Sequence, residues 1–165
     1  MCDNEDKLNM LNNNWILWAH LPHDTNWSLD SYKEISKISS VEECIEIYKN
    51  IPNYMIEKCM LFIMKESIKP MWEDIHNVKG GCFSYKVLET KVVNTWKKLT
   101  YLTLGETLAK DHNLNSYING ISISPKKNFS IVKVWLKSDE YKSPEIINNI
   151  EPYIVSNCCM FKKHE

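Results

Sequence analysis

Seven short runs rich in β-branched and aromatic residues recur along this chain, and three segments with helical features interrupt them. Runs of this kind are typical of β-strands. In chain order the pattern gives two strands, a helix, two strands, a helix, two strands, a helix and a final strand. This order predicts an α+β fold, in which one antiparallel sheet carries the helices on one face and leaves the other face free for a ligand. The runs are 15–20, 32–38, 59–65, 82–88, 117–123, 130–137 and 158–162.

Each helical segment has its own local signal. The first begins at Ser40, which precedes Glu43 at the spacing of a capping box. The third begins at Ser143, a cap residue followed by Pro144 at the first helical position. The second covers residues 91–108 and has an apolar stripe typical of an amphipathic helix packed on a sheet. The stripe consists of Val93, Trp96, Leu99 and Leu102.

The length of 165 residues fits one domain with a single core. Residues 1–13 are predicted to form a flexible polar arm, and residues 14–165 the folded domain. No apolar run approaches the ~18 residues that a membrane span needs, so a cytoplasmic location, with room for a nuclear pool, is expected. The six cysteines form no CxxC pair and no Cys/His set at zinc spacing, which predicts reduced thiols and no metal.

The balance of charges limits which ligands the surface can bind. The chain has 20 basic and 21 acidic residues, for a formal net charge of -1. This balance excludes a broad polyanion-binding surface, so any nucleic-acid site must be local. Every basic residue is Lys, so phosphates would meet point charges rather than the flat guanidinium fork of Arg. The absence of Arg beside abundant Lys, Asn and Ile suggests an AT-rich genome, such as that of a parasite or a large virus.

The six tryptophans divide into two groups by their surroundings. Trp96 lies on the apolar helical stripe, and Trp15 and Trp18 lie in the first strand, where large rings usually fill a core. Trp27 and Trp72 follow polar, turn-like segments, which predicts loop positions. Two indoles on facing loops can sandwich one flat base, with stacking that contributes roughly 1 to 3 kcal/mol per base. A cationic base gains more through cation–π attraction.

Glu73 directly follows Trp72, so its carboxylate can meet the edge of a base stacked on that indole. A carboxylate only accepts hydrogen bonds, and guanine offers two donors along its Watson–Crick edge. Methylation at the 7-position would give such a guanine a positive charge. Two alternatives stay open at this point: an exposed loop Trp beside a solvated acid, or a metal-binding cluster of Glu73, Asp74 and His76.

Residues 68–74, Ile-Lys-Pro-Met-Trp-Glu-Asp, followed by Gly80 and Gly81, resemble the hallmark segment of the eukaryotic translation initiation factor 4E family. The resemblance covers nearly the whole chain from residue 14. It implies a single curved antiparallel sheet of about seven to eight strands, backed by three α-helices on its convex face, with a cap-binding slot on the concave side. The other matching segments are 14–18, 41–48, 96–106 and 120–135.

The resemblance also implies a ligand, the 7-methylguanosine cap of messenger RNA, or 7-methyl-GTP as its analogue. The guanine would stack between Trp27 and Trp72, with Glu73 on its edge and Trp135 beside the methyl group. When the chain is compared with the family without gaps, Lys126 falls on one position where the family binds the phosphates. Asn128 and Ile131 fall on two other such positions, and Cys82 replaces a further family Arg. The local candidates for phosphate binding are Lys126, Lys127 and Lys133.

The family's second surface, across the helices, receives a helical motif from an initiation factor 4G-like scaffold or a binding protein. The candidate groove is Val41, Ile45, Tyr101 and Gly105, with Ile45 in place of the family's Trp. The expected protein is therefore a monomeric cap reader in translation initiation, not an enzyme and without a cofactor. The alternative is a cap-binding repressor or decoy that does not recruit the usual scaffold. A third hypothesis is an enzyme, either a hydrolase with metal at Glu73, Asp74 and His76 or a thiol chemistry at Cys158 and Cys159.

Overall fold

The computed structural model describes residues 7–164, which are built around one seven-stranded antiparallel sheet. Its strand order is β2-β1-β3-β5-β6-β4-β7. All seven predicted strands and the α+β class are confirmed. Residues 1–6 of the predicted arm lie outside the described residues, whereas residues 10–13 of that arm already belong to β1. The strands are β1 Met10–His20, β2 Tyr32–Ser40, β3 Met60–Lys65, β4 Gly81–Leu88, β5 Ile118–Pro125, β6 Phe129–Leu136 and β7 Cys159–Lys163.

Three α-helices accompany the sheet: α1 Val41–Asn50, α2 Asn53–Lys58 and α3 Val92–Leu104. The predicted capping box of α1 is confirmed. The Glu43 N–H donates to Ser40 Oγ at 3.2 Å, and the Ser40 N–H donates to Glu43 Oε2 at 3.1 Å. α3 is shorter than predicted because the chain turns at Glu106, which adopts a φ of 54°. The short α2 was not predicted. None of the helices within residues 7–164 is long and apolar enough to cross a bilayer.

The prediction of a third helix starting at Ser143 is wrong. The segment forms only a 3-10 turn, Pro144–Ile146. The backbone beyond this turn bonds to the segment that follows α3 instead of closing helical turns, as where the Asn148 N–H donates to the Leu108 carbonyl at 2.8 Å. Ile147 is buried all the same, so the spacing of the isoleucines indicated burial and not a helical period.

Side chains alternate between the two faces of the sheet, as strand geometry requires. Trp15 and Leu17 on β1 belong to the main core beneath α3, which packs across β1, β4, β5 and β6 and contributes Trp96. The predicted core positions of Trp15, Trp18 and Trp96 are confirmed, since all three are buried. The face of the sheet opposite α3, which we call the open face, carries a smaller apolar cluster of Ile16, Trp18, Phe62, Met64, Ile68 and Trp135.

Candidate functional site

A cleft of about 380 Å³ lies on the open face, beside the end of β7. We call it the Trp72 cleft. It brings together three of the predicted site residues, Trp72, Trp135 and Lys133. It also contains Lys162, Lys163 and His164, which were not predicted as site residues, because the sequence alone does not reveal which strand β7 pairs with. The seventh lining residue is Cys82.

The sheet register explains how this cleft is assembled. Cys82 on β4 lies opposite Trp135 on β6 and also opposite Lys162 on β7. Directly opposite side chains on one sheet face have Cβ atoms about 4.5 to 5.5 Å apart. The Trp135 indole is nearly buried, and its Nε1–H donates to Ser122 Oγ at 2.9 Å. Its ring is therefore fixed at the floor of the cleft, with Lys133 two residues away on the same face.

Trp72 projects from a loop between β3 and β4, and its side chain is 44% exposed. The Asp74 carboxylate organises this loop by accepting the N–H groups of Lys69 at 2.9 Å and His76 at 2.8 Å. Burial alone would raise the pKa of Asp74, but these hydrogen bonds outweigh it and lower the pKa. The predicted alternative of a metal cluster finds no support, since residues 7–164 hold no group of three or more His, Cys, Asp or Glu side chains placed to bind a metal ion. Asp74 and His76 instead support the loop.

A buried amide network joins this loop to the rest of the sheet. Asn77 is fully buried, and its Nδ2–H donates to the Met71 carbonyl at 2.8 Å. The Nδ2–H of Asn119, on β5, donates to Asn77 Oδ1 at 2.9 Å and to the His76 carbonyl at 2.8 Å. The loop is thereby held on both sides of Trp72, which fixes where its indole stands.

His164 connects the same network to the end of β7. A carbonyl only accepts, so Nδ1–H of His164 donates to the Asn77 carbonyl at 2.9 Å. Burial lowers the pKa of His164, and repulsion from Lys133 and Lys162 adds to this, against the hydrogen bond to Asn77. The imidazole therefore stays neutral to a lower pH than an ordinary histidine does, with Nε2 as an acceptor.

Trp27 lies at a separate cavity of about 510 Å³, the Trp27 cavity. The indole is 53% exposed, and one of its faces is covered by the buried His20 ring. Lys126 lines this cavity too, together with Glu57. The structure thus brings Trp27 and Lys126 to one cavity and Trp72 to another, while the exposed Lys127 lines neither.

Glu73 lines neither cavity, but its carboxylate acts on Tyr32, which packs against the apolar cluster of the open face. Burial raises the pKa of Tyr32, and the Glu73 carboxylate raises it further, which places this carboxylate near the phenol. Tyr32 in turn meets His20 edge-on, with ring centroids 5.1 Å apart. The loop that carries Trp72 and the turn that carries Trp27 therefore border the same part of the open face.

The helix side of the molecule has an apolar groove of about 410 Å³ between α1 and α3, the helix-side groove. All four residues predicted for a partner surface, Val41, Ile45, Tyr101 and Gly105, line it. Leu11, Cys44 and Leu104 complete it. The side chains of Val41, Ile45 and Tyr101 are all more than two-fifths exposed, so apolar area is open to solvent there.

These features define an α+β protein with helices on one face of an antiparallel sheet and an aromatic, lysine-lined cleft on the other. The chain belongs to the eukaryotic initiation factor 4E family, whose match spans residues 10–165. It is 34% identical over 143 residues to eukaryotic translation initiation factor 4E of Candida albicans, a match that covers 80% of this chain. The chain spans 66% of that relative's length, slightly less than two thirds.

Solved structures show the same fold. The crystal structure of Ascaris suum eIF4E-3 with m7G cap gives a TM-score of 0.73 at 26% identity, covering 82% of this chain and 77% of that chain. The complex of C. elegans eIF4E-3 with the 4E-binding protein Mextli and cap analog gives a TM-score of 0.71 at 26% identity, covering 80% and 76%. The predicted curved sheet backed by helices is therefore confirmed.

Proposed function

We propose that this chain binds the 7-methylguanosine cap of messenger RNA and acts in translation initiation, without chemical turnover. The observation that carries the proposal is the exposed Trp72 indole, followed by Glu73, beside a cleft that holds Trp135 and two lysines without a salt bridge among residues 7–164. The Ascaris suum relative of the same fold is solved with m7G cap, which supports the same ligand class here. Such a role implies a cytoplasmic location and allows a nuclear pool.

The base is proposed to stack between Trp27 and Trp72. Both indoles are about half exposed, and a flat base would cover them while gaining stacking energy of roughly 1 to 3 kcal/mol. One face of Trp27 is already occupied by His20, so its other face receives the base. A base held there would bridge the Trp27 cavity and the Trp72 cleft.

Two further groups give the site its selectivity for methylated guanine. The Glu73 carboxylate accepts the two donors of the guanine edge, and its negative charge favours the positive charge of the 7-methylated base. The indole of Trp135 lies at the floor of the Trp72 cleft, where a methyl group can contact it. Plain guanine has neither the charge nor the methyl group, so it should bind more weakly.

The test compares binding of 7-methyl-GTP and GTP by quenching of the intrinsic Trp fluorescence, with calorimetry as a second readout. We expect much stronger binding of 7-methyl-GTP, and loss of that preference in Trp72→Ala. Glu73→Gln, which keeps the shape but removes the charge, should weaken binding of the methylated nucleotide selectively. Equal affinity for both nucleotides, or unchanged binding after Trp72→Ala, contradicts the proposal.

The helix-side groove favours a role that includes partner docking. We propose that it receives a helical motif from an initiation factor 4G-like scaffold or from a binding protein, as the C. elegans relative is solved with the 4E-binding protein Mextli. The alternative of a cap-binding repressor or decoy rests on Ile45, where an aromatic anchor is absent. Direct binding of scaffold-derived peptides to the chain separates the two roles, since a decoy leaves them unbound.

A further inference from the structure

We propose that the phosphates of the cap are held by Lys133 and Lys162, on the β6–β4–β7 side of the Trp72 cleft, and not by the β5–β6 hairpin that carries Lys126. This inference rests on the proposed cap binding and assigns its phosphate subsite. The subsite is a shallow cradle with one lysine on each wall.

The floor of this cradle consists of small side chains. Cys82 and Ser84 stand on the same face of β4, with Sγ and Oγ 3.8 Å apart. Lys133 lies opposite Ser84 from β6, and Lys162 lies opposite Cys82 from β7. A strand with two small polar side chains, flanked on both sides by lysine stems, leaves space above it for a phosphate group. The Ser84 hydroxyl adds a donor to the two ammonium groups.

The charges in the cleft also favour an anion. Within residues 7–164, neither Lys133 nor Lys162 forms a salt bridge, whereas the Lys163 ammonium lies 2.9 Å from Asp139 Oδ2. No described carboxylate lines the cleft. Because the whole chain has a net charge of -1, this is a local excess of positive charge rather than a general property of the surface. A phosphate would relieve the repulsion between the two ammonium groups.

The charges of both lysines affect the pKa of His164. Its pKa is lowered first by burial, and Lys133 and Lys162 lower it further, so both ammonium groups act on the same corner of the cleft. The two lysines, although on different strands, flank β4 from its two sides and line the same cleft, which lets them bind one ligand. The cleft also contains Trp72, which keeps the phosphates next to the base that this indole is proposed to stack.

The hairpin is a weaker candidate on the same criteria. Lys126 is exposed at the Trp27 cavity, where Glu57 also lines the wall and offsets its charge. Lys127 lines neither this cavity nor the Trp72 cleft. Among the three lysines that the sequence offers as phosphate ligands, the positions in the fold therefore favour Lys133 over Lys126 and Lys127.

The test measures the dissociation constants of the full chain for 7-methylguanosine and for 7-methyl-GTP by calorimetry. The first constant divided by the second isolates the contribution of the phosphates to affinity. We expect Lys162→Gln and Lys133→Gln each to reduce this ratio about tenfold, because each removes one charge-assisted contact. Affinity for 7-methylguanosine should be unchanged. Lys162→Arg should keep most of the ratio, since it keeps the charge.

Lys110→Gln is the matched control, because this lysine lies outside the Trp72 cleft and its ammonium, 3.5 Å from Glu145 Oε2, forms an exposed ion pair. It should change the ratio by no more than about twofold, as expected for an exposed ion pair. Ratios unchanged in both Lys162→Gln and Lys133→Gln, or reduced only in Lys126→Gln, would overturn this inference and leave cap binding intact. A wild-type chain that binds neither ligand would overturn the proposed function itself.

Discussion

The imidazole of His20 lies flat against the indole of Trp27, with ring centroids 4.1 Å apart and ring planes 3° from parallel. His20 is almost fully buried, and its Nε2–H donates to the Asn26 carbonyl at 2.8 Å, next to Trp27 in the chain. An exposed loop tryptophan would otherwise sample several rotamers, and ordering it would cost entropy when a ligand binds. The stacked imidazole holds Trp27 in one orientation before the base arrives.

We therefore expect His20→Ala to weaken binding of 7-methyl-GTP, by about three- to tenfold if the stack contributes as much as a typical aromatic pair. His20→Phe keeps a flat ring and loses only the bond to Asn26, so it should retain most of the affinity. Calorimetry on both variants measures the difference. Affinities that fall equally in His20→Ala and His20→Phe would show that the hydrogen bond, and not the ring, positions Trp27.

The lowered pKa of His164 predicts how stability depends on pH. Its folded pKa is below the ordinary value of 6.5, so the unfolded chain binds more protons than the folded chain as pH falls from the ordinary value towards the folded one. The contribution of His164 is fully present above the unfolded pKa and is lost as pH falls towards the folded pKa. The free energy of unfolding in urea should therefore decrease as pH falls from neutral through the ordinary value of 6.5, and less steeply in His164→Gln. An identical pH dependence in the variant would contradict this assignment.

The helix-side groove predicts a gain of function. Ile45 is exposed where an aromatic side chain could bury more area against a docked helix. Ile45→Trp should strengthen binding of a scaffold-derived helical peptide, by up to about 2 kcal/mol for a residue that becomes an interface anchor. Tyr101→Ala should weaken it, and Trp72→Ala, on the opposite side of the sheet, serves as the control. Fluorescence anisotropy of a labelled peptide measures all three, and no peptide binding by the wild-type chain would argue for a decoy.

The strands could be predicted because their side chains alternate in a way that the sequence displays directly. Trp15 and Trp18 mark opposite faces of β1, and Ser40 with Glu43 marks the start of α1 through bonds made within three residues. The third helix was mispredicted because Ile147 would be buried equally well by a helix or by the extended backbone that is present. Sequence patterns thus predicted a strand or helix correctly wherever contacts between residues near in sequence determine its conformation.

The composition of the site depends on register, which no local signal contains. Lys162 joins the Trp72 cleft only because β7 pairs with β4 so that it faces Cys82. The stack of His20 on Trp27 likewise depends on how the turn after β1 folds back. The sequence could therefore point to Trp72, Trp135 and Lys133, whereas Lys162 and His164 required the sheet itself.

The amide pair Asn77–Asn119 predicts one further effect, on the loop that carries Trp72. Asn119→Ala leaves Asn77 Oδ1, which is buried, and the His76 carbonyl, which is partly buried, without the Nδ2 donors of Asn119. An unsatisfied buried polar group costs about 1 to 3 kcal/mol, so the free energy of unfolding should fall by that amount. Because the loop holds Trp72, binding of 7-methyl-GTP should weaken as well, even at temperatures well below the unfolding midpoint. Asn113→Ala, on an exposed turn, is the control, and hydrogen exchange of the 69–78 amides shows whether the loop has loosened. Weaker binding with unchanged exchange in this loop would contradict a positioning role for Asn119.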